Sequence, residues 1–228
     1  MKSEWKAGFD YSCAEAAFAL LDENDQIVFD EHLSLNNRNA AELPVWMESI
    51  LSKHGLDFNT ITQWSVGSGP GSFTGLRLAS ALVMGFSFRK DVKCRCISTA
   101  SAIAGTAGLT AERVLTLYDG KKNEILGYGL AYQGSYYADD GFDTVLDNPA
   151  DAGKLFEQYS VMVALEKDHE VIRKVFGNEF AEKVILVPHL SAVPLITAAP
   201  GDFSKKLTDL VYLRPAVFVE PRLVRQDL

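Results

Sequence analysis

The segment with the clearest chemical potential is a glycine-rich turn, Gly69-Pro70-Gly71-Ser72-Phe73-Thr74-Gly75-Leu76-Arg77-Leu78. It follows a predicted buried strand, residues 61–66, and precedes a predicted helix, residues 76–88. Glycines permit close backbone approach, and amides at a helix N-terminus favour anions. The pattern fits a phosphate or adenylate cradle. It also fits a tight turn whose glycines only let two segments pack closely, and the spacing does not decide between the two.

Known phosphate-binding patterns do not match this turn. No Gly-Lys-Ser/Thr follows it, as a P-loop requires, and its spacing differs from the dinucleotide-binding fingerprint. Ser72 is better suited to capping the helix than to nucleophilic attack, because no histidine base is marked near it.

The other residues that could do chemistry are three cysteines and four histidines. Cys13, Cys94 and Cys96 are too few for a disulfide framework, and no second pair completes a tetrahedral metal site around Cys94-Arg95-Cys96. No two of the histidines, at positions 32, 54, 169 and 189, are close in sequence, which excludes a two-histidine site on one helix. We therefore expect no bound metal.

The elements that would position these residues divide the chain into two halves. Three short strands, residues 7–10, 15–21 and 27–35, predict an antiparallel meander. Later strands are predicted at 94–97 and, around a turn at 119–122, at 114–118 and 124–132. Beyond residue 150 the pattern alternates helix and strand, which favours βα units. The glycine-containing stretch 134–141 is predicted to be a turn or loop. We expect one lobe over residues 1–104, a second over 105–205, and a segment, 206–228, that returns to the first lobe.

Two predicted helices carry apolar stripes. The first has Leu43, Trp46, Met47, Ile50 and Leu51 at helical spacing. The second, from Leu76 onward, is apolar nearly all round and should be covered on more than one side. A sheet and a neighbouring helix could cover it, and so could a partner chain.

Composition limits the possible functions. The chain has 228 residues, of which 47% are hydrophobic and 23% charged, as in soluble globular proteins. Its formal net charge of −8 suits it poorly to gripping nucleic acid without a more basic partner. The sequence shows no signal-peptide pattern and no apolar run of the ~20 residues that a membrane span needs, so we expect a cytoplasmic protein with no membrane association.

Residues 69–78 resemble the signature of the TsaB (YeaZ-like) family, a branch of the sugar kinase/heat-shock ATPase/actin-like superfamily. Residues 8–13, 119–125 and 212–214 resemble, in the expected order, three weaker family segments. The sequence departs from the family pattern at Tyr11, at Gly120, at Lys121 and Lys122, and around Arg38.

This resemblance implies an α/β protein with a two-lobed actin-like or ribonuclease H-like fold, whose mixed sheets are flanked by helices. It implies a subunit without catalytic activity of its own that supports transfer of a threonylcarbamoyl group to the adenosine next to the anticodon in tRNAs reading ANN codons. Implied partners are the catalytic paralogue TsaD and the P-loop ATPase TsaE, with a homodimer when alone and tRNA bound only indirectly. ATP and Mg²⁺ would be used by the partner subunits, with no cofactor held by this chain.

The resemblance also assigns expected roles to residues. The partner interface would comprise Leu43, Trp46, Met47, Ile50, Thr74, Arg77, Leu78, Ala81, Met84 and Gly85. A remnant of a nucleotide or anion site would comprise Asp10, Ser12, Gly71, Ser72, Asp119 and Gly120. In an active enzyme of this fold, Asp10 and Asp119 would position Mg²⁺ across a cleft. The alternative, that both only cap strand ends, is favoured because the chain has no Gly-Gly turn for adenosine.

Two other functions remain possible. The chain could be an ATP-dependent small-molecule kinase or ATPase of the same fold, using Asp10 and Asp119. A peptidase is the third hypothesis, and the sequence supplies neither a nucleophile–base pair nor a set of metal ligands for it.

Overall fold

A computed structural model describes residues 4–13, 15–34, 40–88 and 91–213, which form two five-stranded sheets with flanking helices. The first sheet has the strand order β3-β2-β1-β4-β5, with β1 antiparallel to β2, β2 antiparallel to β3, and β1, β4 and β5 parallel. The predicted N-terminal meander is confirmed. The strands are β1 (Lys6–Asp10), β2 (Glu15–Leu21), β3 (Ile27–Ser34), β4 (Gln63–Gly67) and β5 (Lys93–Ile97).

The second sheet repeats this topology. Its order is β10-β9-β6-β7-β8, with β6, β7 and β8 antiparallel and β6, β9 and β10 parallel. The duplicated mixed sheet confirms the two-lobed actin-like α/β fold expected from the resemblance. The strands are β6 (Arg113–Asp119), β7 (Ile125–Tyr132), β8 (Tyr137–Leu146), β9 (Val161–Leu165) and β10 (Ile185–Val187).

Helices cover both faces of each sheet. The outer face of the first sheet carries α1 and α2 over an aromatic core in which Phe18 stacks on Trp64. The outer face of the second sheet carries α4, α5 and α6. The helices are α1 (Leu43–Lys53), α2 (Phe73–Phe86), α3 (Thr99–Thr106), α4 (Asp151–Gln158), α5 (His169–Phe176), α6 (Asn178–Ala181) and α7 (Val193–Thr197). Within the described residues, no helix is long and apolar enough to cross a membrane.

The two remaining helices lie between the sheets and are exchanged between the halves of the chain. Helix α3, from the first half, packs on the second sheet, and α7, from the second half, packs on the first. The two helices also contact each other so closely that a Cβ on Gly105 would come within 2.6 Å of Pro194. A shared apolar core, which includes Ile103 and Leu195, therefore joins the two lobes.

Strand β8 corrects the prediction of a turn or loop over residues 134–141. Its side chains alternate between exposed and more buried along almost the whole strand, as expected for an edge strand with one face on the core. Asp140, on the partly buried side of the strand, accepts hydrogen bonds from Arg113 Nη2 (2.7 Å) and from the Tyr159 hydroxyl (3.0 Å). Pairing with β7 and these tertiary contacts outweigh the low strand propensity of aspartate and glycine.

Three long-range links hold the last described residues and the β10–α7 loop against the first sheet. The amide of Cys96 donates to Lys205 O (3.2 Å), and the amide of Val211 donates to Ser68 O (2.8 Å). On the opposite edge, the His189 ring stacks on His32 with centroids 3.8 Å apart. No local sequence pattern indicates this histidine pair, because its members lie far apart in the chain and meet only through the exchange of α7.

Candidate functional site

A cleft of about 740 Å³ lies between the lobes, at the carboxyl ends of the central strands. Its first wall combines the β1–β2 turn with the glycine-rich turn that begins α2. Its second wall combines the turn after β6 with the short 3₁₀ turn Glu166–Asp168 that follows β9. Crevices beyond the carboxyl ends of strands are the usual ligand sites of open α/β sheets.

Asp10 lies beneath the lining of this cleft. Its buried carboxylate accepts hydrogen bonds from the Ser12 amide (2.6 Å), the Ser12 hydroxyl (2.7 Å) and the Thr99 hydroxyl (2.6 Å). Burial raises the pKa of Asp10, and these hydrogen bonds oppose the rise. Asp10 thus closes the β1–β2 turn and fastens it to the first residue of α3.

The glycines of the signature are explained by close packing within the chain. A Cβ on Gly71 would come within 2.6 Å of Ser12, and one on Gly75 would lie 1.9 Å from the Tyr11 carbonyl oxygen. The Ser72 amide is already bonded to Ser12 O (2.8 Å). Ser72 Oγ accepts from the Gly75 amide (3.3 Å), so the predicted helix cap is confirmed, although α2 begins at Phe73 rather than at Leu76. The close-packing interpretation therefore accounts for the spacing without a ligand.

Asp119 lines the opposite wall, where it is held by its own turn. Its carboxylate accepts hydrogen bonds from the Lys121 amide (2.7 Å) and from Lys121 Nζ (2.5 Å). Partial burial alone would raise the pKa of Asp119, but the two hydrogen bonds from Lys121 outweigh it, and the pKa is lowered. Gly120 follows in a tight turn, and the Gly120 amide donates to Glu124 O (2.8 Å).

Three further cleft residues, Tyr118, Lys167 and Asp168, were not among the predicted site residues, and Cys13 was considered only for a disulfide or a metal. Lys167 Nζ pairs with Asp168 Oδ1 at 2.7 Å, while Asp168 Oδ2 and the Tyr118 hydroxyl are buried without a hydrogen-bond partner in the described structure. Burial raises the pKa of Asp168. Burial also raises the pKa of the Cys13 thiol to about 12, so it is protonated at neutral pH and unreactive. The position of residues 167–168 just after a buried strand was the signal that could have found them.

The structure brings the predicted anion-site residues together. Ser12, Gly71, Ser72, Asp119 and Gly120 all line the cleft, and Asp10 supports it from below. Within the described residues, no three His, Cys, Asp or Glu side chains are grouped as a metal site would require.

The predicted interface residues separate into two groups. Thr74, Arg77, Ala81, Met84 and Gly85 are exposed along one face of α2, with Leu78 half-buried beside them. Leu43, Met47 and Ile50 are instead buried in the core beneath α1, and Trp46 is half-buried. In the isolated chain the three buried α1 side chains belong to the core of the first sheet, and Trp46 packs at its edge. We call the exposed stripe, residues 74, 77, 78, 81, 84 and 85, the α2 face.

Replacing Asp10 should show how far the site depends on this buried carboxylate. Asp10→Ala is expected to cost about 3 kcal/mol of unfolding free energy, because Ser12 and Thr99 lose their acceptor in a buried site. Asp10→Asn keeps the shape and one acceptor and should cost about half as much. Urea denaturation at pH 7 measures both, and Asp147→Ala, exposed just after β8, is the control. Equal stability of wild type and Asp10→Ala would contradict the assignment.

The same carboxylate predicts a pH dependence. Because the pKa of Asp10 is raised on folding, the folded state binds the proton more tightly than the unfolded state. The stability that Asp10 contributes is present at pH values below its pKa in the unfolded chain. It is lost as the pH rises through its pKa in the folded protein. The stability difference between wild type and Asp10→Asn should therefore shift in favour of the variant as pH rises from 4 to 8.

The duplicated mixed sheets and the cleft between them define a two-lobed α/β protein of the actin-like class. A family model described as TsaD: tRNA N6-adenosine threonylcarbamoyltransferase matches residues 36–203, and the chain belongs to this family.

Individual relatives agree with this assignment. The tRNA threonylcarbamoyladenosine biosynthesis protein TsaB of Haemophilus influenzae is 31% identical over 118 residues, which cover 51% of this chain and 49% of that protein. The match thus spans about half the length of the curated relative. It confirms the resemblance to the TsaB family that residues 69–78 suggested.

Two solved structures from Pseudomonas aeruginosa share the fold. An uncharacterized protein with similarity to the peptidase YeaZ superimposes with a TM-score of 0.70 at 22% identity, covering 94% of this chain and all (100%) of that one. YeaZ itself superimposes with a TM-score of 0.63 at 20% identity, covering 86% of this chain and 89% of that one. At these identities the likeness establishes the fold and nothing further.

Proposed function

We propose that this chain is a non-catalytic subunit of the machinery that transfers a threonylcarbamoyl group to the adenosine next to the anticodon in tRNAs reading ANN codons. It pairs through the α2 face with a TsaD-type catalytic subunit and helps the TsaE-type ATPase engage. The α2 face is the observation that carries this proposal, because it is an exposed stripe of apolar and small residues on a helix whose other side is core. Such a stripe is typical of a surface that another chain covers.

Gly85 supports an external partner. Glycine inside a helix costs about 1 kcal/mol relative to alanine. A Cβ at Gly85 would meet nothing within 4 Å, so the described part of the chain gives no packing reason for the glycine. On the same stripe Met84 is 53% exposed. A second helix that approaches closely at Gly85 and covers Met84 explains both residues.

The chemistry of the cleft favours a subunit that does not catalyse by itself. Asp10 is saturated by Ser12 and Thr99, and Asp119 is held by Lys121, so neither carboxylate is free to arrange Mg²⁺ and its waters. Cys13 is protonated and Ser72 caps α2. The net charge of −8 fits a subunit that reaches tRNA only through more basic partners. In this proposal the partners use the ATP and Mg²⁺, the complex works in the cytoplasm, and this chain forms a homodimer when it is alone.

A second candidate is an ATP-dependent kinase or ATPase that uses the same cleft. The two unpartnered buried polar atoms, Asp168 Oδ2 and the Tyr118 hydroxyl, favour a small ligand there. Calorimetry with ATP and Mg²⁺ distinguishes it: no heat of binding and no turnover would eliminate this candidate.

Reconstitution tests the main proposal. The catalytic subunit, the ATPase and the threonylcarbamoyl-adenylate synthase of the same organism are purified and supplied with tRNA, threonine, bicarbonate and ATP. We expect modified adenosine only when this chain is added, with a mixture lacking the catalytic subunit as the control. Equal product without this chain would refute the proposal.

A further inference from the structure

We propose that Arg77 is the charged anchor of the α2 face and that it receives a carboxylate from a helix of the partner chain. This inference rests on the proposed function, because the partner it concerns is the TsaD-type catalytic subunit. It adds the chemistry by which the partner is recognised, and it makes the segment around Tyr212 part of the recognition surface.

Arg77 is held by two aromatic rings. The rings of Phe73 and Tyr212 stack on each other with centroids 4.3 Å apart and planes 8° from parallel. Arg77 Cζ lies 5.7 Å from each ring centroid, and its Nε donates to the Tyr212 hydroxyl at 3.2 Å. Because Cζ is equally far from two rings that stack on each other, the guanidinium lies at the edge of the stack and not over a ring face. The hydrogen bond from Nε to the Tyr212 hydroxyl is therefore the contact that orients it. The side chain is therefore oriented before any partner arrives.

The fixed orientation leaves the two terminal nitrogens of the guanidinium available to a partner. Within the described residues, Nε has an acceptor, whereas no acceptor and no ion pair is found for Nη1 or Nη2. Two terminal nitrogens side by side match the two oxygens of a carboxylate. Ordering this long side chain in advance reduces the entropy lost on binding.

The surroundings of Arg77 require a negative group from outside. Helix α2 contains no acidic residue, and Arg77 is its one charged side chain. Thr74, Leu78 and Ala81 surround it on the same face. When a partner covers this face, Arg77 loses water, and a desolvated charge is costly unless it is paired. The α2 face therefore favours a partner that places a carboxylate opposite Arg77.

A protein carboxylate is favoured over the other anions and partners. On the α2 face, as far as the chain is described, a tRNA phosphate backbone would meet one cation, where binding normally needs several. A second copy of this chain would bring no carboxylate on α2 and only Glu48 within α1. A different chain with its own acidic residue fits the face better.

The test measures binding of purified variants to the catalytic subunit of the same organism by calorimetry. Arg77→Gln is expected to weaken binding about 30-fold, as for loss of a desolvated charge pair, with a faster dissociation rate. Arg77→Lys keeps the charge but lacks the two-pronged guanidinium, so its affinity should lie between those of wild type and Arg77→Gln. Tyr212→Phe removes the hydroxyl but keeps the stack, and should weaken binding about 3-fold. Arg173→Gln, in an exposed pair on α5, is the matched control and should bind as wild type.

The outcomes distinguish failure of the Arg77 inference from failure of the proposed function on which it rests. If wild type does not bind the catalytic subunit, the proposed function fails. If wild type binds and Arg77→Gln binds equally well, only the present inference fails. It also fails if Arg77→Gln loses binding to tRNA alone, or loses self-association, while its affinity for the catalytic subunit is unchanged.

Discussion

Replacing Arg95 with methionine is expected to lower the free energy of unfolding by about 4 kcal/mol, as for loss of several hydrogen bonds from one buried charged donor. The buried guanidinium of Arg95, on β5, donates to Ser65 Oγ (2.9 Å), Ala199 O (2.6 Å) and Ile196 O (2.7 Å). It also donates to Asp202 O (3.0 Å). Methionine fills the space but leaves the buried Ile196 carbonyl, the buried Ser65 hydroxyl and the partly buried Ala199 carbonyl without this donor, and each lost partner carries a desolvation cost.

Urea denaturation followed by circular dichroism measures the effect. Arg95→Lys should recover only part of the loss, because an ammonium group cannot reach acceptors spread over three backbone segments. Lys53→Met, exposed in the last turn of α1, is the control and should change stability by less than about 0.5 kcal/mol. A methionine variant with the midpoint of wild type would show that Arg95 does not hold α7 in place.

A positive charge at Ala81 is expected to abolish pairing with the catalytic subunit, weakening it by at least about 100-fold, while leaving the fold intact. Ala81 lies at the middle of the exposed stripe on α2, so an arginine there meets only solvent in the isolated chain. In a complex, the same side chain would separate the two helices and lose its hydration. Co-elution on size-exclusion chromatography measures pairing, and thermal denaturation measures the fold.

Ala150→Arg is the matched control, because Ala150 is also exposed but lies in the second half, just before α4. It should co-elute as wild type does. If Ala81→Arg also co-elutes unchanged, the α2 face is not the pairing surface. If it fails to fold, Met84→Lys, on the same stripe, repeats the test with a side chain of similar length.

Local patterns predicted most of the elements. The alternation in β3, the stripe of α1 and the strand–turn–helix around Gly71 depend on neighbours in sequence, and all three appear in the structure. Strand β8 was missed because Asp139, Asp140 and Gly141 are poor strand formers. Only the tertiary pairing of Asp140 with Arg113, and of β8 with β7, makes a strand there.

The site was predicted only in part, again because some of its contacts join residues that are far apart in the sequence. Asp10 and Ser12 could be found because they end a recognisable strand, and they indeed lie together. Thr99, which completes the hydrogen bonds of Asp10, comes from α3, and nothing near Asp10 in the sequence indicates it. The sequence around Arg95 carries no local signal of its role, because all of its acceptors except Ser65 lie about 100 positions away, at separations of up to 107 residues.

The exchange of α3 and α7 between the sheets has a consequence for how the chain is made. During synthesis the first sheet emerges long before α7, so its inner face, including Ala17 and Leu21, stays uncovered until most of the chain has left the ribosome. The early half is then a species with exposed apolar surface, the state in which nascent proteins bind chaperones or aggregate. Once α7 docks, neither lobe can unfold without uncovering the other. The mature protein should therefore lose its structure in one cooperative step.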